Sequence, residues 1–572
     1  MKPETKTCQN CKKDFTIESE DFNFYEKIKV PPPTFCSECR LQRRVSWRNE
    51  RIFFHRNCGN CGKKIISIYE NKNIKVYCQE CWLSDDWEAS EYSQEYDFTK
   101  NFFEQFIELF KKVPQINLNG HVSNKNSPFV NYIVEANNCY LCFGGGYIEN
   151  VMFSNLGVDM KDSAEIYFSS NCENCYEISN CQKCYGLYFG NNSKDCMDSY
   201  FLQDCVNCNN CIMSCNLRNK SYFIKNKQLT KEEYLIQKED FLKLLNKSPY
   251  LAKDEFKKHL LNFPKRFSNI AKSVNCTGDN ISESSNIRNC FSVKKAENCQ
   301  NSQDVINFIK DVYDSTSIGL NTQVVYESVT ASINVSNTNF SCVSRNNSMN
   351  ISYSYFMTSC SNCFGCVGLR NKQYCIFNKQ YTKEQYEEMI PKIIKHMNDM
   401  PYIDAKGRIY KYGEFFPPEL SPFCYNETIA QEYFPLTKEE ALNQGYKWKD
   451  KEERNYQIDI KNEDIPDNIK EVNESIINKV IECSHKGTCN EQCTEAFKVI
   501  PAELQFYQRM NLPLPHLCPN CRHYNRLKQR NPLKLWHRHC MKEGCTNEFE
   551  TSYAPERLEI IYCERCYQQE VY

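Results

Sequence analysis

The sequence predicts a multidomain, mainly β chain. Paired-cysteine modules at both termini flank two β-solenoid (β-helix-like) lobes with helical caps. Three observations predict it. CxxC pairs crowd both ends of the chain. The stretch Val30 to Cys58, VPPPTFCSECRLQRRVSWRNERIFFHRNC, is echoed in register by Leu512 to Cys540, LPLPHLCPNCRHYNRLKQRNPLKLWHRHC. The middle alternates short apolar runs with Asn-Cys and Asp-Cys pairs.

At 572 residues the chain is too long for one ordinary core. A net charge of -1 excludes global steering to nucleic acid or membrane. The 37 cysteines dominate the composition. No run of about 18 apolar residues is present, so no transmembrane helix is expected. MKPETKTCQN has no apolar leader region, so a cytoplasmic chain is expected. Reduced thiols in CxxC pairs then read as metal ligands. A disulfide-rich exported chain is the alternative.

Residues 1–90 carry Cys8, Cys11, Cys36 and Cys39, then Cys58, Cys61, Cys78 and Cys81. Two CxxC knuckles brought together form a tetrahedral thiolate cage suited to zinc, with no open position for catalysis. Pairing by sequence order gives two sites; interleaved pairing is the alternative. Residues 476–572 repeat the pattern with Cys489, Cys493, Cys518 and Cys521, then Cys540, Cys545, Cys563 and Cys566. Cys483 and His485 lie just upstream and compete as ligands for the first of these. The expected cofactor is zinc, about four structural ions, one for each all-cysteine set.

The two modules match without a gap from Cys11 to Cys58 against Cys493 to Cys540, which indicates internal duplication. The first half of each runs CxxC, Phe15, Phe24-Tyr25, prolines, then Cys36-x2-Cys39-Arg40. It resembles a family described as probable zinc ribbons, which implies zinc and a zinc-ribbon-like fold at each end. The whole layout resembles uncharacterised bacterial chains with zinc ribbons flanking a Cys/Asn/Tyr-rich middle. Some of those carry a class III coenzyme A-transferase label. That chemistry needs an α/β fold, and no α/β alternation is present here.

Between the two sites of each module lies a basic run. Arg40, Arg44 and Arg48 fall on one helical face, with Arg51 beyond; Arg522, Arg526 and Arg530 are their counterparts. Beside Trp47, Phe53 and Phe54 they suit contact with a nucleic acid or another partner. The alternative is interdomain ion pairing.

Residues 91–125 form an amphipathic helix or cap. Phe98, Phe102, Phe106 and Phe110 make its stripe, Thr99 its N-cap, and it covers the open end of the tract that follows. Residues 126–228 are the first solenoid, with one coil per roughly 22 residues and alternating residues facing inward. Its cysteines read as buried apolar thiols. A helical cap spans 229–272, a second solenoid 273–380 with a period of about 13, and a helix 381–400. Thr230 and Thr382 cap helices in matched segments, with Glu233 and Gln385 closing capping boxes. A connector with a short helix fills 401–475, and Lys449 to Asn468 reads as an exposed linker.

No GxGxxG, P-loop, HExxH or GxSxG motif is present; Gly144-Gly145-Gly146 lacks the residues of a P-loop. The expectation is a non-enzymatic zinc-binding interaction or scaffold protein with a protein partner or self-association. It has no membrane contact and no identified small-molecule substrate. RNA or DNA binding through the arginines is one alternative; a glycan-active β-helix enzyme is another.

Overall fold

The structure, a computed structural model, describes residues 2–247, 249–451 and 455–572. Position 248 of the expected helical cap and 452–454 of the expected linker lie outside the described residues. The chain is mainly β, with cysteine clusters at both ends. Among the described residues no helix is long and apolar enough to cross a membrane.

From Val130–Asn137 to Ser221–Ile224 the strands pair in parallel. Val130 pairs Cys142, Tyr185 pairs Met197, and Asn209 pairs Ser221. The offset is 12 residues, not the 22 expected. Inward positions also differ from expectation. Every third residue is left-handed, as at Asp159, Asp162, Glu165, Phe168, Asn171 and Asn174. The residue after each is buried: Met160, Ser163, Ile166, Ser169, Cys172 and Cys175. Strand alternation therefore lasts only two residues before the chain turns. Asn and Asp bear left-handed backbone at the lowest steric cost, so Asn-Cys marks a corner followed by an inward thiol. With every third position equivalent, Asn-Cys spacings do not mark a whole coil. Asn side chains also ladder: Asn138 Nδ2 donates to Asn150 Oδ1 at 3.3 Å, and Asn150 Nδ2 to Asp162 Oδ1 at 2.9 Å.

The second tract, Val274–Ser282 to Gln373–Ile376, uses the same rule, with offsets of 11 or 12 at its ends and an added residue per rung in its middle. Gln303 pairs Thr316, which pairs Val329, which pairs Cys342. The 13-residue offset arises at one corner, where two successive residues are left-handed. These are Asn307-Phe308, Leu320-Asn321, Ile333-Asn334 and Asn346-Asn347. Inside, Ser302, Ser315, Ser328, Ser341 and Ser354 form a column. The first four hydroxyls each accept the N–H of the next serine at 3.1–3.3 Å and Ser354 accepts that of Cys366 at 3.1 Å, so these buried polar groups are satisfied.

The helix Phe102–Lys112 is capped by Asn101, whose Oδ1 accepts the Glu104 N–H at 3.0 Å; Thr99 precedes it. Phe98 lies outside the helix and is exposed. The helix does not cover the tract that follows it. Phe102 packs on Phe364 and Phe110 on Tyr355, both in the second tract. The helices Lys231–Lys247 and Lys383–Asp399 follow Thr230 and Thr382, and both capping boxes form. In the connector, Tyr446 and Trp448 pack with Val45 and Tyr425.

Docking is crossed. The N-terminal module shares a core with the second tract, through Phe24, Tyr25, Tyr326 and Tyr353. The C-terminal module shares one with the first tract, through Phe153, Tyr176, Phe506 and Tyr507.

The glycine cluster has a packing role. A Cβ on Gly145, at φ +100°, would stand 2.1 Å from the Gly157 carbonyl oxygen on the next rung. Gly145→Ala is expected to cost on the order of 3 kcal/mol, from overpacking plus strain. Gly407, at φ +75° in open space, serves as control. Gly407→Ala should cost only about 1–2 kcal/mol. Denaturant midpoints of the two variants check the difference.

Candidate metal centres and the arginine clamps

Four cysteine sets each bring their sulfurs within 4.8 Å of one another. They are Cys8, Cys11, Cys36, Cys39; Cys58, Cys61, Cys78, Cys81; Cys483, Cys493, Cys518, Cys521; and Cys540, Cys545, Cys563, Cys566. In the N-terminal module the sulfurs group in sequence order. Each set is built alike. A hairpin turn supplies the first two thiols, as between Glu4–Thr7 and Asp14–Ile17, or Trp536–His539 and Glu548–Thr551. The third cysteine stands at a helix N-cap and the fourth lies in the first turn of that helix.

The N–H of the third cysteine always donates to the sulfur of the first. Cys36 donates to Cys8 at 3.3 Å, Cys78 to Cys58 at 3.2 Å, Cys518 to Cys483 at 3.3 Å, and Cys563 to Cys540 at 3.3 Å. Helix N-termini and N–H donors both favour thiolate over thiol. Four converging thiols fit a tetrahedral metal cage and leave no position for substrate.

One assignment is corrected. Cys483, not Cys489, stands where Cys8 stands. The ungapped match between the modules places Asn490 opposite Cys8, and Cys489 was the nearest cysteine. The chain instead loops out, so the first ligand lies further upstream. Cys489 joins a second group with His485, Glu491 and Cys521.

The cysteines of the two tracts form no such group among the described residues. Their thiols donate to the carbonyl two residues back: Cys139 to Asn137 at 3.3 Å, Cys196 to Lys194 at 3.3 Å, and Cys360 to Thr358 at 3.3 Å. These are buried structural thiols.

The arginines point inward. Arg40, Arg43, Arg44 and Arg48 are almost fully buried, as are Arg522 and Arg526; Arg51 and Arg530 are half-buried. Arg40 meets Asp314 at 2.8 Å and Glu327 at 3.3 Å, and Arg43 bridges Glu327 at 2.8 Å and Glu414 at 2.9 Å. Arg44 lies 4.0 and 3.9 Å from Asp314 and Glu327. Arg48 pairs with Glu50 at 2.6 Å and lies over the Tyr132 ring. In the other module Arg522 meets Glu165 at 2.7 Å and Glu503 at 3.1 Å, and Arg526 pairs with the same Glu165. Arg530 lies over Tyr433 and donates to Tyr167 Oη at 3.0 Å. Arg51 contacts Asn155 at 2.9 Å and approaches Glu432 at 3.9 Å. Of the two readings of these residues, pairing inside the chain is what the structure shows: most of the guanidinium groups face carboxylates of the β tracts, the connector or their own module, and Arg530 faces Tyr167 and Tyr433. A stripe of arginines reads the same in sequence whether its acids are supplied in cis or phosphates in trans.

Burial pushes the Asp314 and Glu414 carboxyls up and lowers the Arg44 guanidinium to about 10. Sequence reasoning missed Asp314, Glu327, Glu414 and Glu165. Three of them occupy left-handed or turn positions that look like ordinary acidic corners, at Asp314, Glu327 and Glu165. His523, a member of the second module's basic run, is held neutral at about 4 by burial and then by Arg51, and stands 3.0 Å from Glu432.

Compared with family models and with curated proteins, the chain matches none.

Glu327→Gln leaves three buried guanidinium groups undercompensated and is expected to cost about 3–5 kcal/mol. The exposed pair Glu297–Lys310, 3.3 Å apart, provides the contrast. Glu297→Gln should change stability by at most about 1 kcal/mol. Unfolding midpoints of both variants read the difference. His523 gives a pH dependence. Its folded pKa lies below the unfolded value, so its stability is present above about pH 6.5 and is lost as pH falls toward 4. The loss has a limiting slope of about 1.4 kcal/mol per pH unit. His523→Gln should fall less steeply than the parent across that window in pH-resolved melts.

Proposed function

We propose that the chain is a non-enzymatic, zinc-binding scaffold in which four structural zinc ions fold terminal modules of zinc-ribbon type. These modules clamp two β-solenoid lobes with coils of 12 and 13 residues. The observation that carries this reading is the recurrence of one four-sulfur cage at four places, with the same N–H to sulfur bond in each. All-thiolate sets suit zinc, stabilise folding directly and have no vacancy for catalysis. In each module Cys8/Cys11/Cys36/Cys39 or its counterpart seats the helix that carries the clamp arginines. Zinc thus supports the interface between module and lobe rather than a reaction. Parallel rung-on-rung pairing and left-handed corners recurring at three-residue steps support the solenoid reading of both tracts. The scaffold presents long ladder faces, such as Asn275, Asn286, Asn298 and Asp311, to a protein partner or a second copy.

Metal analysis of the purified chain should find at least four zinc ions, one for each cage. Cys61→Ser should carry one ion fewer than the parent. Near-zero zinc in the parent sinks the reading. Crosslinking in the native cell, with light scattering on the purified chain, tests the scaffold role. A monomer with no reproducible partner argues against it.

A further inference from the structure

The knuckle of the third cage differs from the others. Cys483 and Cys493 are ten positions apart, whereas Cys8 and Cys11 are three apart. The added chain brings His485, Cys489 and Glu491. Their donor atoms and Cys521 Sγ lie within 4.8 Å of one another. His485 Nδ1 is 3.3 Å from Cys521 Sγ and 3.3 Å from a Glu491 carboxylate oxygen. Cys489 Sγ is 3.7 Å from Cys521 Sγ. A tetrahedral ion with bonds of about 2.3 Å to sulfur and about 2.0–2.1 Å to nitrogen or oxygen sets sulfur–sulfur edges of ~3.75 Å and nitrogen–oxygen edges of ~3.3 Å. The observed edges have that shape.

A second observation points to a cation. Glu491 is 7% exposed. Lys528 holds one of its carboxylate oxygens, while Oε2 is buried without a hydrogen-bond partner and faces His485. A buried carboxylate oxygen with no donor is costly, and a bound cation removes that cost. Cys521 Sγ is also 3.5 Å from Cys518 Sγ and 3.9 Å from Cys483 Sγ, so it belongs to both groups.

We propose that His485, Cys489, Glu491 and Cys521 form a fifth divalent-metal site, fused to the third cage through the Cys521 thiolate, which bridges the two ions. The inference rests on the zinc reading of the third cage. Mixed nitrogen, oxygen and sulfur donors suit zinc, a borderline acid. The three-position knuckle of the N-terminal module holds only Gln9 and Asn10 between its cysteines, so no counterpart exists there.

The full chain is purified with zinc and its metal content compared with that of Cys489→Ser/Glu491→Gln. The variant is expected to keep the parent's circular dichroism and to bind one ion fewer. Equal content overturns the proposal. The difference reads the fifth site, whereas a parent total below four reads failure of the four-cage assignment, so the two are distinguishable. Cobalt loading of the parent gives a readout that needs no variant. Two cobalt ions sharing a thiolate couple their spins, so paramagnetic resonance intensity per cobalt falls below that of isolated ions. Undiminished intensity in the fully loaded chain overturns the bridge.

Discussion

The pairing of Arg40, Arg43 and Arg44 with Asp314, Glu327 and Glu414 is the interaction on which the arrangement depends. These charges lie in a dry interior. A guanidinium there is tolerable only while its carboxylates are in place, because breaking one partner leaves the other unpaired out of water. The N-terminal module and the second tract therefore hold one another in a single register. An apolar contact tolerates sliding; a set of forked donors aimed at three carboxylates does not. Arg522 and Arg526 on Glu165 impose the same condition at the other end. The two clamps share a design, as the modules share a repeated sequence, and Glu432 joins them through Arg51 and His523.

The four-cysteine clusters serve these clamps. In both modules the helix that starts at the third cysteine, Ser37–Val45 or Pro519–Leu527, carries the arginines on its next turns. Two thiolates at its N-terminus fix where the helix begins and how it is rotated. A short helix on a small module has too little apolar surface to do this alone. The order of dependence runs from cage to helix to guanidinium to carboxylate.

Much of this was legible in the sequence. Metal-ligand spacing survives as CxxC because a knuckle is local, and the duplicated stretch fixed the equivalence of Arg40 with Arg522. Mainly β character showed in the Asn-Cys rhythm. Three things were hidden, each for a physical reason. The period of three arises from left-handed residues such as Glu165, Phe168 and Val324, which carry no compositional mark of that conformation. Cys489 gave up its expected role to Cys483 because a loop was inserted inside a motif that ungapped matching treats as rigid. The destination of the arginines depended on acids hundreds of positions away, and no local pattern encodes that distance.

The crossed docking has a consequence for how the chain is made. Arg43 and Glu327 are 284 positions apart. At elongation rates of about 5–20 residues per second, roughly 14–57 s separate the emergence of the two halves of one clamp. During that interval the N-terminal module stands at the ribosome with its arginines and aromatic face uncovered, while the first tract, which is not its partner, emerges beside it. The C-terminal module, in contrast, meets a surface that has been waiting. In a nascent chain of this design the early module must hold its own shape until its acids arrive.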